Sequence, residues 1–197
     1  MFEPVGCLAE FPPEPFQEIA ARYFRRRKTP AKSASRAYWH LLNLMEASGP
    51  PPDLESFELD AVRRATLYGD VLPALAELQS MGIRLCVASS LSHAAVSSFL
   101  DRHHLGDRFA AVYTRDDAAG IKAAPLRAAL ASVDPENAIF LADTLEALKA
   151  AKTAGIPPVL MMNDPDESRR LALQDPAGGI VSLHELPDFL RLVAARS

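Results

Sequence analysis

The stretch Ile83–Ser90 constrains the fold of this chain more than any other. It reads Ile-Arg-Leu-Cys-Val-Ala-Ser-Ser and follows a helix-like segment that stops at Met81-Gly82, which predicts a buried strand of a parallel sheet. Ligands of open α/β sheets bind beyond the carboxyl ends of the strands, where Ser89 lies. A helix predicted to start near Ser92 directs free N–H groups to the same place and favours an anion. The simpler alternative is that Ser90 or Ser92 only caps this helix.

From Tyr68 onward, helical and strand patterns alternate. Such alternation predicts βαβ units with a parallel sheet, and hence the α/β class. The predicted helices cover 70–81, 92–103, 125–132 and 145–154, with a last one ending at 194; the predicted strands cover 83–90, 110–114, 138–142, 158–162 and 179–181, with a polar loop between the last two.

Residues 14–66 show only helical patterns. We predict three helices there, over Glu14–Arg27, Ser35–Ala47 and Leu54–Ala65, with a Gly- and Pro-rich break after the second. The first ends in the basic cluster Arg25–Lys28. Such a cluster either holds a phosphorylated ligand or is a solvated helix end, where cations are favoured by the helix dipole.

Composition narrows the function. The formal net charge of −4 gives no reason to expect nucleic-acid or membrane binding. Two cysteines, one inside the predicted buried strand, do not make a disulfide framework, so we expect a reducing, cytoplasmic location. No stretch approaches the roughly 18 apolar residues of a membrane span.

Three polar residues follow strands of the α/β part: Ser89, Lys122 and Asp143. A hydroxyl, an ammonium and a carboxylate on one rim suit a phosphoryl group with a divalent cation, the first two binding phosphate oxygens and the carboxylate binding Mg²⁺. The alternatives are that Lys122 is a solvated loop residue and that Asp143 caps the helix at Leu145.

The order and spacing of these residues resemble the haloacid dehalogenase-like (HAD) superfamily, in its phosphatase and phosphoglucomutase-like branch with a helical cap. The resemblance implies a HAD-like Rossmannoid core, a three-layer α/β fold over 1–8 and 67–197, with an inserted all-helical cap over 9–66. Ser89, beside Ser90, takes the place of the phosphate-binding Ser/Thr. Lys122 with Pro125 resembles the third motif, and Phe140-Leu141-Ala142-Asp143-Thr144 the fourth, with Asp143 as the metal-binding acid.

The first motif departs from the family pattern Phe-Asp-x-Asp-Gly-Thr-Leu. This chain has Phe2-Glu3-Pro4-Val5-Gly6-Cys7-Leu8, so Glu3 stands in the place of the nucleophile and Val5 in that of the acid/base. By resemblance, Glu3, the Val5 carbonyl and Asp143 would hold Mg²⁺. Only Met1 and Phe2 precede Glu3, so we expect a truncated first strand or a start farther upstream.

Three functional hypotheses follow. The first is a catalytically impaired HAD-family hydrolase homologue that binds a small phosphorylated molecule or a protein partner. The second is an active Mg²⁺-dependent phosphohydrolase that uses Glu3 as its nucleophile. The third is a structural module whose cap mediates protein contacts.

Overall fold

The computed structural model describes residues 1–24, 33–163 and 165–195, and for 165–168 it describes the backbone alone. The helices are α1 (Pro4–Cys7), α2 (Glu14–Phe24), α3 (Ala34–Ser48), α4 (Leu54–Arg64), α5 (Val71–Ser80), α6 (His93–Arg102), α7 (Ala123–Leu130), α8 (Leu145–Ala154), α9 (Pro165–Ala172) and α10 (Leu186–Ala194). The strands are β1 (Ala9–Glu10), β2 (Thr66–Leu67), β3 (Cys86–Ala88), β4 (Ala111–Tyr113), β5 (Phe140–Ala142), β6 (Pro158–Met161) and β7 (Gly178–Ile180). Within these residues, no helix is both long and apolar enough to cross a membrane.

The first two residues join two parallel sheets. β3 pairs with β4, while β5, β6 and β7 form the other sheet. Phe2 pairs in parallel with Val87 of β3, and its N–H donates to the Cys86 carbonyl at 2.9 Å. On the other side, the Leu141 N–H of β5 donates to the Met1 carbonyl at 3.2 Å. Because all of these segments run parallel, the residues that follow them meet at one edge.

Three helices, α2, α3 and α4, lie between β1 and β2, and we call them the cap helices. β1 and β2 pair antiparallel, so the segment carrying these helices leaves and re-enters at one place. Aromatic contacts join the cap helices to one another, and they also join this segment to the rest of the chain. Phe16 packs on Tyr38 with ring centroids 5.3 Å apart, and Phe11 stacks on Phe99 of α6 at 5.5 Å.

A buried ion pair also fixes α4 to the α/β part. Glu58 of α4 is 1% exposed and pairs with the Arg115 guanidinium, which also donates to the Ser90 carbonyl at 3.2 Å. The other carboxylate oxygen of Glu58 accepts from the Ser92 N–H at 3.1 Å. Burial raises the pKa of Glu58, and Arg115 opposes that rise. The contacts of Glu58 therefore fix the cap to the residues that follow β3.

The structure differs from the predicted elements in four places. The short first strand expected at Met1–Leu8 is reduced to a single bridge at Phe2, and Pro4–Cys7 form α1 instead. The strand expected over 83–90 is paired only over Cys86–Ala88, because its partner β4 spans three residues. β1 and β2 were not expected, since two residues are too few to show a period. The polar loop predicted after 162 contains α9, which starts at Pro165, carries Arg169 and Arg170 in its last turn and buries Leu171. Proline at the start and cations at the end favour a helix without a long apolar stripe.

Removing the charge of Glu58 should destabilise the fold. We expect Glu58→Gln to lower the free energy of unfolding by roughly 2–3 kcal/mol, because Arg115 loses a buried charged hydrogen-bond partner. The measurement is urea unfolding followed by circular dichroism.

The matched control is Asp60→Asn on the same helix. Among the residues that the structure describes, Asp60 pairs only with Arg63 and Arg64, both at the solvent-exposed surface, so this change should cost under about 1 kcal/mol. Equal losses for the two variants would contradict the role given to the Glu58–Arg115 pair.

Candidate active site at the carboxyl edge of the sheet

Three of the sequence-predicted site residues follow neighbouring segments of the sheet. Glu3 follows Phe2, Ser89 follows β3 and Asp143 follows β5. The parallel register carries all three to the carboxyl edge, as expected for an α/β sheet. What each side chain contacts there decides what the site can do.

The Glu3 carboxyl is enclosed by hydrogen-bond donors. Its residue is 3% exposed. The Ser89 hydroxyl donates to Oε1 at 2.6 Å, and the Tyr38 hydroxyl of α3 donates to Oε2 at 3.2 Å. The Ser90 N–H also points at Oε2, at 3.4 Å. Thus Ser89 and Ser90, the residues that the resemblance assigns to a phosphate, donate to the side chain of Glu3 instead.

This environment favours the neutral form of the Glu3 carboxyl. Burial raises the pKa of Glu3 from 4.5 to about 8, although the hydrogen bonds from Ser89 and Tyr38 pull the pKa down. The protonated form of the Glu3 carboxyl therefore predominates at neutral pH. A protonated carboxyl is a poor nucleophile, because the reacting lone pair carries no full charge.

Asp143 follows β5 at the same edge of the sheet as Glu3, and it also accepts a hydrogen bond from a hydroxyl group of α3. Its Oδ1 accepts from the Ser35 hydroxyl at 2.8 Å. A Cβ placed on Gly6 would lie 2.1 Å from Asp143 Oδ2, so only glycine fits there, at φ +85°. Asn163 holds this turn through its amide, which donates to the Gly6 carbonyl at 2.8 Å. Burial raises the pKa of Asp143 to about 6.

Lys122 presents its backbone to the site and its side chain to the cap. Its N–H donates to the Ser90 hydroxyl at 2.6 Å, whereas its Nζ donates to Glu46 of α3 at 2.6 Å. Its φ of 59° and ψ of −104° are unusual for a residue with a side chain. The ammonium is therefore paired with a cap carboxylate rather than with Ser89 or Asp143.

One cap helix thus contacts three of the predicted site residues. Ser35, Tyr38 and Glu46 of α3 bind Asp143, Glu3 and Lys122 in turn. Positions separated by 3 and 8 residues fall along one side of an α-helix, which explains how one helix reaches them all. Sequence reasoning missed this set, since Tyr38 lies within an apolar stripe. The signal present in the sequence was the spacing of the polar side chains Ser35, Tyr38 and Glu46, which fall along one side of the predicted helix.

The structure decides the capping alternatives: of the two serines proposed as caps of α6 it is Ser92 that caps the helix, whereas α8 is capped by Thr144 and not by Asp143. Ser92 caps α6 by accepting from the Ala95 N–H at 3.1 Å, and Thr144 caps α8 by accepting from the Ala147 N–H at 3.2 Å. Asp143 is therefore not the cap of α8, and Ser90 is not the cap of α6. The basic cluster Arg25–Lys28 lies outside the described residues.

Val5 and Cys7 offer no substitute for the missing acid/base. Val5 is fully buried and contributes a backbone hydrogen bond to Glu3. The Cys7 thiol donates to the Leu141 carbonyl at 3.5 Å. Burial, with the nearby Asp143 and Glu3, raises the pKa of Cys7 well above its ordinary value. Cys7 therefore stays a thiol, the weakly nucleophilic form. Cys7 and Cys86 are both free.

The carboxyl groups that the resemblance assigns to Mg²⁺ accept hydrogen bonds from neighbouring hydroxyl groups in this arrangement. Mg²⁺ requires several oxygen ligands in octahedral geometry, commonly from ionised carboxylates and water. Here the Glu3 oxygens accept from Ser89 and Tyr38, and Asp143 accepts from Ser35. Within the described ranges, no group of three or more His, Cys, Asp or Glu side chains is placed to hold a metal.

Comparison with known proteins decides the family. The family described as haloacid dehalogenase-like hydrolase matches residues 51–161. The chain belongs to the haloacid dehalogenase-like hydrolase family. It is 30% identical over 146 residues to a phosphoglycolate phosphatase of Cereibacter sphaeroides, an alignment that takes in 72% of this chain and 66% of that protein's length. The family expectation drawn from the motifs is confirmed.

Solved structures agree on the fold. The HAD phosphatase of Thermococcus onnurineus superposes with a TM-score of 0.64 at 21% identity, over 96% of this chain and 95% of that one. CbbY of Rhodobacter sphaeroides, in complex with phosphate, superposes with a TM-score of 0.60 at 23% identity, over 94% of each chain. The predicted α/β fold class is confirmed.

The protonation of Glu3 predicts a pH-dependent stability. Because the pKa of Glu3 is about 8 in the folded protein against 4.5 ordinarily, the folded state holds a proton that the unfolded chain releases. This stabilisation is fully present below the pKa that Glu3 has in the unfolded chain, and it is lost as the pH rises through the pKa that Glu3 has in the folded protein. Each unit of difference between the two pKa values corresponds to roughly 1.4 kcal/mol. We expect Glu3→Gln to flatten the fall in unfolding free energy between about pH 5 and pH 9.

The control is Glu10→Gln, which alters an exposed glutamate of β1 and should keep the wild-type slope. The measurement is chemical unfolding at a series of pH values. A Glu3→Gln variant with the same slope as the wild type would contradict a buried, protonated carboxyl.

Proposed function

We propose that this protein is a haloacid dehalogenase-like family member with little or no phosphatase turnover that binds a small phosphorylated molecule. The observation that carries the proposal is the state of Glu3. Its carboxyl is buried, accepts from the Ser89 and Tyr38 hydroxyls, and has a pKa raised to about 8.

Two chemical requirements of phosphoryl transfer are weakened. The nucleophile must be an anion free to approach phosphorus in line, and Glu3 is neutral, enclosed and one methylene longer than the aspartate it replaces. A displacement of about 1 Å can cost roughly a hundredfold in rate. The acid/base is replaced by Val5, which transfers no proton, and such catalysis is worth about 10²–10⁴.

Ligand binding is supported separately. The Cereibacter sphaeroides relative is a phosphoglycolate phosphatase, and the Rhodobacter sphaeroides structure is a complex with phosphate. This chain has Ser90 and Lys122 joined by a hydrogen bond at the same edge of the sheet. The Lys122 ammonium extends from this point to the exposed carboxylate of Glu46, a partner that another anion can displace at little cost, so we expect recognition to be less impaired than turnover.

The decisive test of turnover is phosphate release from a panel of phosphate monoesters with excess Mg²⁺. We expect the wild type, Glu3→Ala and Glu3→Gln to release phosphate at the same background rate. We expect the double variant Glu3→Asp/Val5→Asp to exceed that background by about 10²-fold or more, because it restores a shorter nucleophile and a proton donor.

Thermal melting of each variant controls for folding, and Glu3→Gln keeps the side-chain shape if Glu3→Ala is unstable. Wild-type turnover that disappears in both single variants would show that Glu3 is the nucleophile. The protein would then be an active phosphohydrolase, contrary to the proposal.

A further inference from the structure

Helix α3 is in direct contact with the carboxyl edge of the sheet. The Ser35 hydroxyl donates to Asp143 at 2.8 Å, and the Tyr38 hydroxyl donates to Glu3 at 3.2 Å. A Cβ placed on Gly6 would lie 2.9 Å from the Ser35 Cβ, so Ser35 also packs on the backbone of this turn. Ser35 and Tyr38 are both buried. At these points α3 fills the space over the edge that a ligand of the site needs.

We propose that α3 is an internal competitor of the phosphorylated ligand: it blocks the site in the resting protein, and ligand binding displaces it from the edge. The inference rests on the proposed function and concerns the regulation of that same site. A lid that closes over a ligand contacts the ligand and is stabilised by it. The contacts of α3 go to the site residues themselves, so a ligand favours the state in which α3 has left.

The competition is most direct at Lys122. Its ammonium donates to the Glu46 carboxylate of α3 at 2.6 Å, while its backbone N–H donates to the Ser90 hydroxyl. Carboxylate and phosphate are both anions that an ammonium binds through charged hydrogen bonds. The Glu46 side chain is 65% exposed, so its pair with Lys122 is weak and open to exchange. Glu46 is therefore the group of α3 that a phosphate replaces first.

The docked position of α3 carries a cost that its release removes. Trp39 lies four residues after Ser35, and therefore on the same side of α3. It is 2% exposed, and its indole N–H has no hydrogen-bond partner within the residues that the structure describes. A buried donor without a partner is unfavourable, and release of α3 returns this N–H to water. The free-energy difference that a ligand must overcome is smaller for this reason.

The rest of the cap stays attached when α3 leaves the edge. Glu58 fixes α4 to the α/β part through Arg115 and the Ser92 N–H, and these contacts involve no residue of α3. The pairing of β1 with β2 also keeps the two ends of the cap segment together. The displacement is therefore a movement of one side of the cap.

Trp39 provides a direct test, because it is the one tryptophan in the sequence and lies on the helix that moves. The measurement is acrylamide quenching of its fluorescence in the full chain, with and without saturating inorganic phosphate. We expect phosphate to raise the quenching constant by about twofold or more, because the indole becomes exposed when α3 leaves. A quenching constant that falls or stays the same while phosphate binds would overturn the inference.

A second test changes the docking of α3 alone. Tyr38→Phe removes the hydroxyl that donates to Glu3 and keeps the ring. We expect it to tighten phosphate binding about three- to tenfold in isothermal titration calorimetry, since one hydrogen bond less holds α3 on the edge. The matched control is Tyr23→Phe, because the Tyr23 hydroxyl donates to Asp53 on the exposed surface of the cap. This control should bind phosphate within about twofold of the wild type.

The outcomes separate this inference from the proposed function. Weaker binding by Tyr38→Phe than by the wild type, or equal binding by Tyr38→Phe and Tyr23→Phe, would overturn the competition and leave phosphate binding intact. Binding that appears only in Tyr38→Phe would support it. If neither the wild type nor either variant binds phosphate, the proposed function itself is wrong. Ser35→Ala, which removes the bond to Asp143, repeats the test if thermal melting shows that Tyr38→Phe is unfolded.

Discussion

The buried carboxyl of Glu3 is the interaction on which the candidate site depends. It joins three segments distant in sequence, since Ser89 ends the β3 segment and Tyr38 belongs to the cap. An ionised carboxylate in this place would lack the water that solvates it elsewhere, and the hydrogen bonds only partly compensate. Packing of the cap and protonation of Glu3 are therefore one coupled equilibrium.

The contacts between cap and core fall into two physical kinds. Glu58 and Arg115 form a pair whose side chains are 2% and 14% exposed. Breaking this pair leaves a buried charge without a partner. Glu46 and Lys122 form a pair that is open on the glutamate side, where water and other anions compete. The first kind holds the cap to the core, whereas the second can break and re-form without releasing the whole cap.

The sequence predicted much of the fold and less of the site, for identifiable reasons. Helix α8 was predicted over its observed range, Leu145–Ala154, because a strand end precedes it and Gly155 ends it in a left-handed conformation. Ser89 and Asp143 were placed at the sheet edge by the parallel alternation alone. The partner of Lys122 could not be predicted, because Glu46 is 76 residues away and a long flexible side chain follows its nearest counter-charge. The protonation of Glu3 was also missed, since burial by Tyr38 is a tertiary effect.

The two-residue ribbon formed by β1 and β2 allows the cap helices to change in evolution independently of the sheet. Ala9 faces Leu67 and Glu10 faces Thr66, so both ends of the helical segment are clamped together before the helices begin. The pairing of β1 with β2 offsets the entropy lost in closing that long loop, so the pairing of the parallel strands does not have to offset it. Helices could thus be lengthened, shortened or exchanged between relatives as a cassette, leaving the strand register untouched. Recognition can diverge in this way while the scaffold stays constant.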